Sequence, residues 1–173
     1  MSETQITKWT TRLLLDWMYG QFKTKKIDNP RLIAEMLLTH VLGGERIDLY
    51  AHADRIATDA ERKTLREFVQ RAMKHEPVQY IVGTAWFFGI EFQVNNTTLI
   101  PRTCTERIVE QVIAHCKLST EPTCNIADIG TGTGCIAITL ANNMKKASIV
   151  ATDISNDAIE LAKTNAAIQQ VDS

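Results

Sequence analysis

The sequence is short of the residues that build scaffolds without a large core. Its 173 residues include only four cysteines and four prolines. Cys104, Cys116, Cys124 and Cys135 are separated by twelve, eight and eleven positions, and none forms a C-x-x-C pair. His40, His52, His75 and His115 fall in no ligand-like cluster with them. These spacings argue against a disulfide framework or a zinc site and predict reduced thiols in a cytoplasmic protein. No apolar run approaches the ~20 residues of a membrane span, so no membrane association is expected. The start, Met1-Ser2-Glu3-Thr4-Gln5, lacks the basic flank and apolar centre of a signal peptide. Charge of one sign is missing too: 19 Lys+Arg against 20 Asp+Glu leave a formal net charge of −1, with no basic surplus for a general grip on nucleic acid. The 45% hydrophobic and 23% charged residues suit a folded globular chain, and neither internal repeat nor low-complexity tract interrupts it.

The first part reads as helical. Ile6, Trp9, Leu13 and Trp17 recur at spacings of three and four, one apolar stripe of an amphipathic helix ended by Gly20 and Lys23-Thr24-Lys25-Lys26. Asp28-Asn29-Pro30 offers a capping side chain and a first-turn proline for a second helix carrying Leu32, Ile33, Met36, Leu37, Val41 and Leu42, closed by Gly43-Gly44. Arg46 to Ala51 adds a turn or two. Thr58-Asp59-Ala60-Glu61 has the capping-box form, and Leu65, Phe68, Val69, Ala72 and Met73 give the next helix its buried face until Pro77. Residues 1–75 are expected to be a small helical bundle without a catalytic constellation.

The pattern changes at Gln79. Ala85 to Val94 is rich in aromatic and branched residues, Asn95-Asn96 is turn-prone, and Thr97 to Ile100 is extended again, which predicts a β-hairpin turning at the asparagines within a linker over 76–102. Thr103-Cys104-Thr105-Glu106 offers a second capping box, followed by Ile108, Val109, Val112, Ile113 and Cys116 on one helix face and a polar loop over Ser119 to Thr123. A β-α-β-α run follows: a strand over Asn125–Ile129, a glycine-rich turn, a helix from Ile136 to about Met144, a strand over Ser148–Asp153, and a helix capped by Ser155-Asn156. Strands alternating with helices imply a parallel sheet with right-handed crossovers, an α/β fold.

Chemistry concentrates in Asp128-Ile129-Gly130-Thr131-Gly132-Thr133-Gly134. A glycine-rich turn between a parallel strand and a helix lets a ligand approach the backbone, and the N–H groups there favour an anionic or strongly polar group. Asp153 ends the next strand, 23 residues after Gly130, where a carboxylate can accept both hydroxyl hydrogens of a ribose. The dinucleotide fingerprint needs G-x-G-x-x-G, but here the order is G-x-G-x-G and Cys135 stands where the last glycine would be. That counts against a pyrophosphate and suits S-adenosylmethionine, a nucleoside with an amino-acid end.

Asn125 to Ala137 resembles motif I of the class I methyltransferases, and Ala151 to Ala166 resembles the acidic-loop segment that follows it. Upstream, Pro77-Val78-Gln79-Tyr80-Ile81-Val82-Gly83, Phe88-Gly89-Ile90-Glu91-Phe92-Gln93-Val94 and Leu99-Ile100-Pro101-Arg102-Thr103-Cys104-Thr105-Glu106 resemble the peptide chain release factor N5-glutamine methyltransferases, the HemK/PrmC family. The resemblance implies a helical substrate-recognition domain over 1–75, a hairpin linker over 76–102, and over 103–173 the first units of a Rossmann-like methyltransferase domain. It implies S-adenosyl-L-methionine as cofactor, a release factor as protein partner, and Gly130, Thr131, Gly132, Thr133 and Gly134 around the cofactor's methionine end. Asp153 would hold the ribose hydroxyls. Asp128 would support the loop or the amino group, or cap the following turn, and both readings stay open. The cluster Trp86-Phe87-Phe88 either walls the cofactor pocket or packs the hairpin on the domain.

Two departures bear on function. The family usually reads Pro-Arg-Pro-Glu-Thr-Glu where this chain has Pro101-Arg102-Thr103-Cys104-Thr105-Glu106, so a thiol stands in place of a carboxylate at Cys104. The family's acceptor-binding Asn-Pro-Pro-Tyr, which would hold the target glutamine amide, does not occur, and the pair Asn29-Pro30 belongs to the helical part. No catalytic residue or metal ligand is therefore assigned. The reading is of a methyltransferase domain cut after its second strand, with negligible turnover alone and an open sheet edge available for self-association. Three functions remain: N5-methylation of the glutamine in a release factor's Gly-Gly-Gln loop, methylation of a nucleobase amine, and partner binding without catalysis.

Overall fold

A computed structural model of the chain describes residues 8–118 and 123–171. These form two compact units, Met1–Val82 and Gly83–Ser173.

The first unit is all helical: α1 (Thr11–Thr24), α2 (Pro30–Leu42), α3 (Asp48–Ala51), α4 (Asp59–Ala72) and α5 (Val78–Val82). Thr10 is extended and its side chain accepts the Leu13 N–H, which starts α1. Ile6, placed by its spacing on this helix, lies outside the described residues. Gly20 does not end α1; the helix continues to Thr24, whose hydroxyl donates to the Gly20 carbonyl at 2.9 Å. Burying Met18 and Phe22 outweighs the ~1 kcal/mol that a mid-helix glycine costs. Asn29 makes no side-chain cap to α2, so proline at the first turn does that work alone. The Thr58–Glu61 capping box is present in full at α4. Met18, Phe22, Leu37, Leu38 and Leu65 fill the centre of this core.

The second unit contains β1 (Thr84–Phe87), β2 (Ile90–Gln93), α6 (Thr103–Leu118), β3 (Asn125–Ile129), α7 (Cys135–Asn143), β4 (Ser148–Thr152) and α8 (Asn156–Ile168). β1 and β2 pair antiparallel, and β3 and β4 pair parallel with Ile129 opposite Thr152. The α/β reading with a helical beginning, a hairpin and a β-α-β-α run holds.

The hairpin turns elsewhere than expected. Phe88 (φ +52°) and Gly89 (φ +75°) form its turn, so the turn falls inside the segment read as one strand, and Thr97 to Ile100 is not a strand. Two consecutive positive φ values match the right-handed twist of the strands. Asn95 instead accepts the Thr97 N–H at 2.9 Å in a local side-chain turn. Phe87 and Phe92 pack edge to face with ring centroids 6.2 Å apart, and are buried with Val109, Ile138 and Leu140.

A second correction concerns the thiols. Cys116 and Cys124 form a disulfide. Their Cα atoms lie 6.2 Å apart, so an eight-residue separation that carries no motif becomes a spatial contact. The loop expected over Ser119 to Thr123 lies mostly outside the described residues. Cys104 is free and exposed, Cys135 free and buried.

Candidate functional site

The glycine-rich turn joins the carboxyl end of β3 to the start of α7, and Asp153 follows β4, so parallel pairing brings both to one end of the sheet. The Thr152 carbonyl accepts two turn N–H groups, from Gly130 at 2.8 Å and Thr131 at 2.9 Å. Asp153 completes the link: Oδ2 accepts the Gly132 N–H at 2.8 Å and Oδ1 accepts the Ser155 N–H at 3.0 Å. These backbone donors, Ser155 first and Gly132 next, hold the Asp153 carboxyl below the ordinary aspartate range. It is therefore an anion and a pure hydrogen-bond acceptor at neutral pH.

Asp128 Oδ2 accepts the Thr131 hydroxyl at 2.7 Å, bracing the turn from within. Thr131 and Thr133 are both buried, so their side chains belong to the scaffold and the turn offers its backbone outward. The glycines divide in the same way. A Cβ on Gly130 (φ +80°) would meet nothing within 4 Å, which leaves open space above the turn. On Gly134 (φ +80°) it would lie 2.7 Å from Ile138 Cδ1 and 3.2 Å from Ala162 Cβ, so that glycine permits α7 and α8 to pack closely. Burial pushes the Cys135 thiol up, which keeps it protonated and unreactive.

Trp86 is exposed, whereas Phe87 is a core residue. Glu106, read as half of a helix-capping box, has another partner: its Oε1 accepts the Phe88 N–H at 2.8 Å and so fixes the hairpin turn to α6.

One residue of this region escaped the sequence reading. Asn165 of α8 is only 1% exposed and bonds both to the hairpin and to the glycine-rich turn. Its signal was present: it lies seven positions after Ala158, on the buried face of the helix, where a polar residue needs a partner. Among the described residues no group of three or more His, Cys, Asp or Glu could hold a metal, and no helix is long and apolar enough to cross a membrane.

Residues 14–83 match the PrmC N-terminal domain, and residues 111–173 match the methyltransferase small domain. Among curated relatives, a release factor glutamine methyltransferase of Chlorobaculum tepidum is 42% identical over 161 residues, covering 91% of this chain and 55% of its own length. One of Rhodopirellula baltica is 39% identical, covering 95% of this chain and 57% of its own. A bifunctional methyltransferase of Rickettsia bellii is 35% identical over 85% of this chain and 31% of its own length. The chain spans about half the length of the curated release factor enzymes it matches. With a PrmC N-terminal match over the helical unit and a methyltransferase match over the second unit, the chain is similar along most of its length to release factor glutamine methyltransferases of the HemK/PrmC family.

Proposed function

We propose that this chain carries the cofactor-binding part of an S-adenosylmethionine-dependent enzyme that methylates the N5 position of the glutamine in a release factor's Gly-Gly-Gln loop, in the cytoplasm. The observation that carries the cofactor reading is the Asp153–Gly132 bond, which sets an ionised acceptor beside an open glycine turn. The residues suit the cofactor on two counts. Gly130 has open space where a side chain would stand, so an amino-acid end can meet the backbone of the turn. Asp153 has lost its proton and can accept from a ribose diol through lone pairs left over by Gly132 and Ser155.

S-adenosylmethionine supplies an electrophilic methyl group when bound. The chain's own residues bind and orient. Gly130, Gly132 and the backbone of Thr131 and Thr133 form the cradle, with Gly134 packing its base against α8. Asp128 holds the cradle's shape through Thr131. The helical unit, which matches the PrmC N-terminal domain, is assigned to recognition of the release factor.

Calorimetry with S-adenosylmethionine tests the cofactor reading, and absence of binding by folded protein would overturn it. Transfer of labelled methyl groups by the family's full-length form to purified release factor, compared with RNA, tests the acceptor. Labelled RNA and unlabelled release factor would favour the nucleobase reading.

A further inference from the structure

Asn165 uses its whole carboxamide. Oδ1 accepts the Gln93 N–H at 2.7 Å, while Nδ2 donates to the Gln93 carbonyl at 3.0 Å and to the Thr133 carbonyl at 2.9 Å. Gln93 is the last residue of β2, and the next residue, Val94, bonds back across the hairpin to Gly83. Alternation along a strand therefore turns both polar groups of Gln93 outward, away from β1. Asn165 occupies that edge as a third strand would. Four residues on, Gln169 Nε2 donates to the carbonyl of Glu91 at 3.2 Å, two residues back along β2. The two side chains share one helix face, and the two carbonyls share one strand edge. They differ in one respect: Gln169 touches the hairpin only, and Asn165 also holds the carbonyl that leads into Gly134.

We infer that Asn165 is a positioning residue that couples the glycine-rich turn to the hairpin, so that a ligand ordering the turn also orders the hairpin. Both hydrogens of a buried amide are committed, one to each element. Freeing either carbonyl from this buried site leaves an unpaired acceptor or forces the element to move. The coupling to cofactor rests on the proposed S-adenosylmethionine site; the bracket itself does not.

Hydrogen exchange of the chain with and without S-adenosylmethionine, alongside Asn165→Asp, Asn165→Ser and Gln169→Ala, tests this. Asn165→Asp keeps the acceptor for Gln93 N–H but sets a carboxylate against two carbonyls. Without ligand, both Asn165 variants should exchange faster in the hairpin (84–94) and in the turn (128–135), by about tenfold or more for the loss of a buried hydrogen bond. Gln169→Ala should loosen the hairpin alone. With ligand, the wild-type chain should gain protection in both segments. The Asn165 variants should gain it in the turn only, a separation that general destabilisation would not produce. If a variant fails to fold, the wild-type Asn165 side-chain amide protons decide: slow exchange supports the bracket, and exchange at solvent rates overturns it. Hairpin exchange unchanged in the folded Asn165 variants also overturns it. Absence of ligand binding by wild type would sink the cofactor reading, while the ligand-free comparison still decides the bracket.

Discussion

Asp153 accepts the backbone N–H of Gly132 at 2.8 Å, so the residue expected to meet a ribose also shapes the turn expected to meet the methionine end. One carboxylate thus serves the scaffold and the proposed ligand through different lone pairs. Substitutions at Asp153 should then affect turn order and cofactor binding together.

Asp153→Asn keeps the size of the side chain and removes its charge. A charge-assisted bond to a backbone donor is about twice as strong as a neutral one, so S-adenosylmethionine affinity should fall at least tenfold with the fold retained. Calorimetry and circular dichroism together check this. The pH dependence has a definite sign. Because the folded carboxyl lies below its ordinary value, its stabilising contribution is complete above the unfolded aspartate pKa of about 3.9. It is lost as pH falls through the lower folded value.

Gly134→Ala should destabilise the second unit by about 1–3 kcal/mol, since it combines overpacking with a positive φ that alanine resists. Gly130→Ala meets open space and carries the backbone penalty alone, about 1 kcal/mol. Its larger effect should be on ligand affinity, because the added methyl occupies the approach to the turn. Urea unfolding of the two variants, with calorimetry on Gly130→Ala, separates packing from access.

In the helical unit, Glu35 is the buried carboxylate to test. It receives Arg31 at 3.2 Å, Arg46 at 3.0 Å through Nε, and the Tyr50 hydroxyl. Burial raises its pKa, but hydrogen bonds from Tyr50, Arg46 and Arg31 prevail and hold it below the ordinary glutamate value. Glu35→Ala should cost about 1–3 kcal/mol: the penalty is that of hydrogen bonds to a charged group, and both arginines keep access to water. The contribution of Glu35 is complete above about pH 4.3, the unfolded glutamate value, and fades as pH falls through the lower folded one. Urea midpoints of wild type should therefore drop more steeply on acidification than those of Glu35→Ala.

Reducing Cys116–Cys124 should destabilise the second unit by about 2–3 kcal/mol, the loop-closure term for a ring of this length. Thermal melts with and without reductant measure it, and Cys116→Ser should melt like the reduced wild type. A melting point indifferent to reductant would mean that the closed ring adds nothing to the folded state.

Local signals were legible in the sequence because their causes are local. The Thr58–Glu61 capping box joins groups three residues apart, and the glycine spacing with an acidic strand end follows from the chain path of a β-α-β unit. The same local logic misplaced the hairpin turn. Asn95-Asn96 is the better turn pair by composition, yet Phe88-Gly89 turns because Glu106, eighteen residues away, takes the Phe88 N–H. Asn165 and Gln93 are separated by 72 positions, and the pairing of Cys116 with Cys124 follows no cysteine motif in the chain.

By itself the sequence determined the family resemblance, the order of elements and the position of the glycine-rich turn proposed as the cofactor loop. Those depend on residue type, periodicity and short spacing. Tertiary structure alone decided which polar groups are spent on the scaffold beyond the local Thr131–Asp128 pair: Gly132 on Asp153, Glu106 on Phe88 and Asn165 on two elements at once. A buried donor or acceptor takes whichever partner packing brings within about 3 Å, and that choice is made in space rather than along the chain.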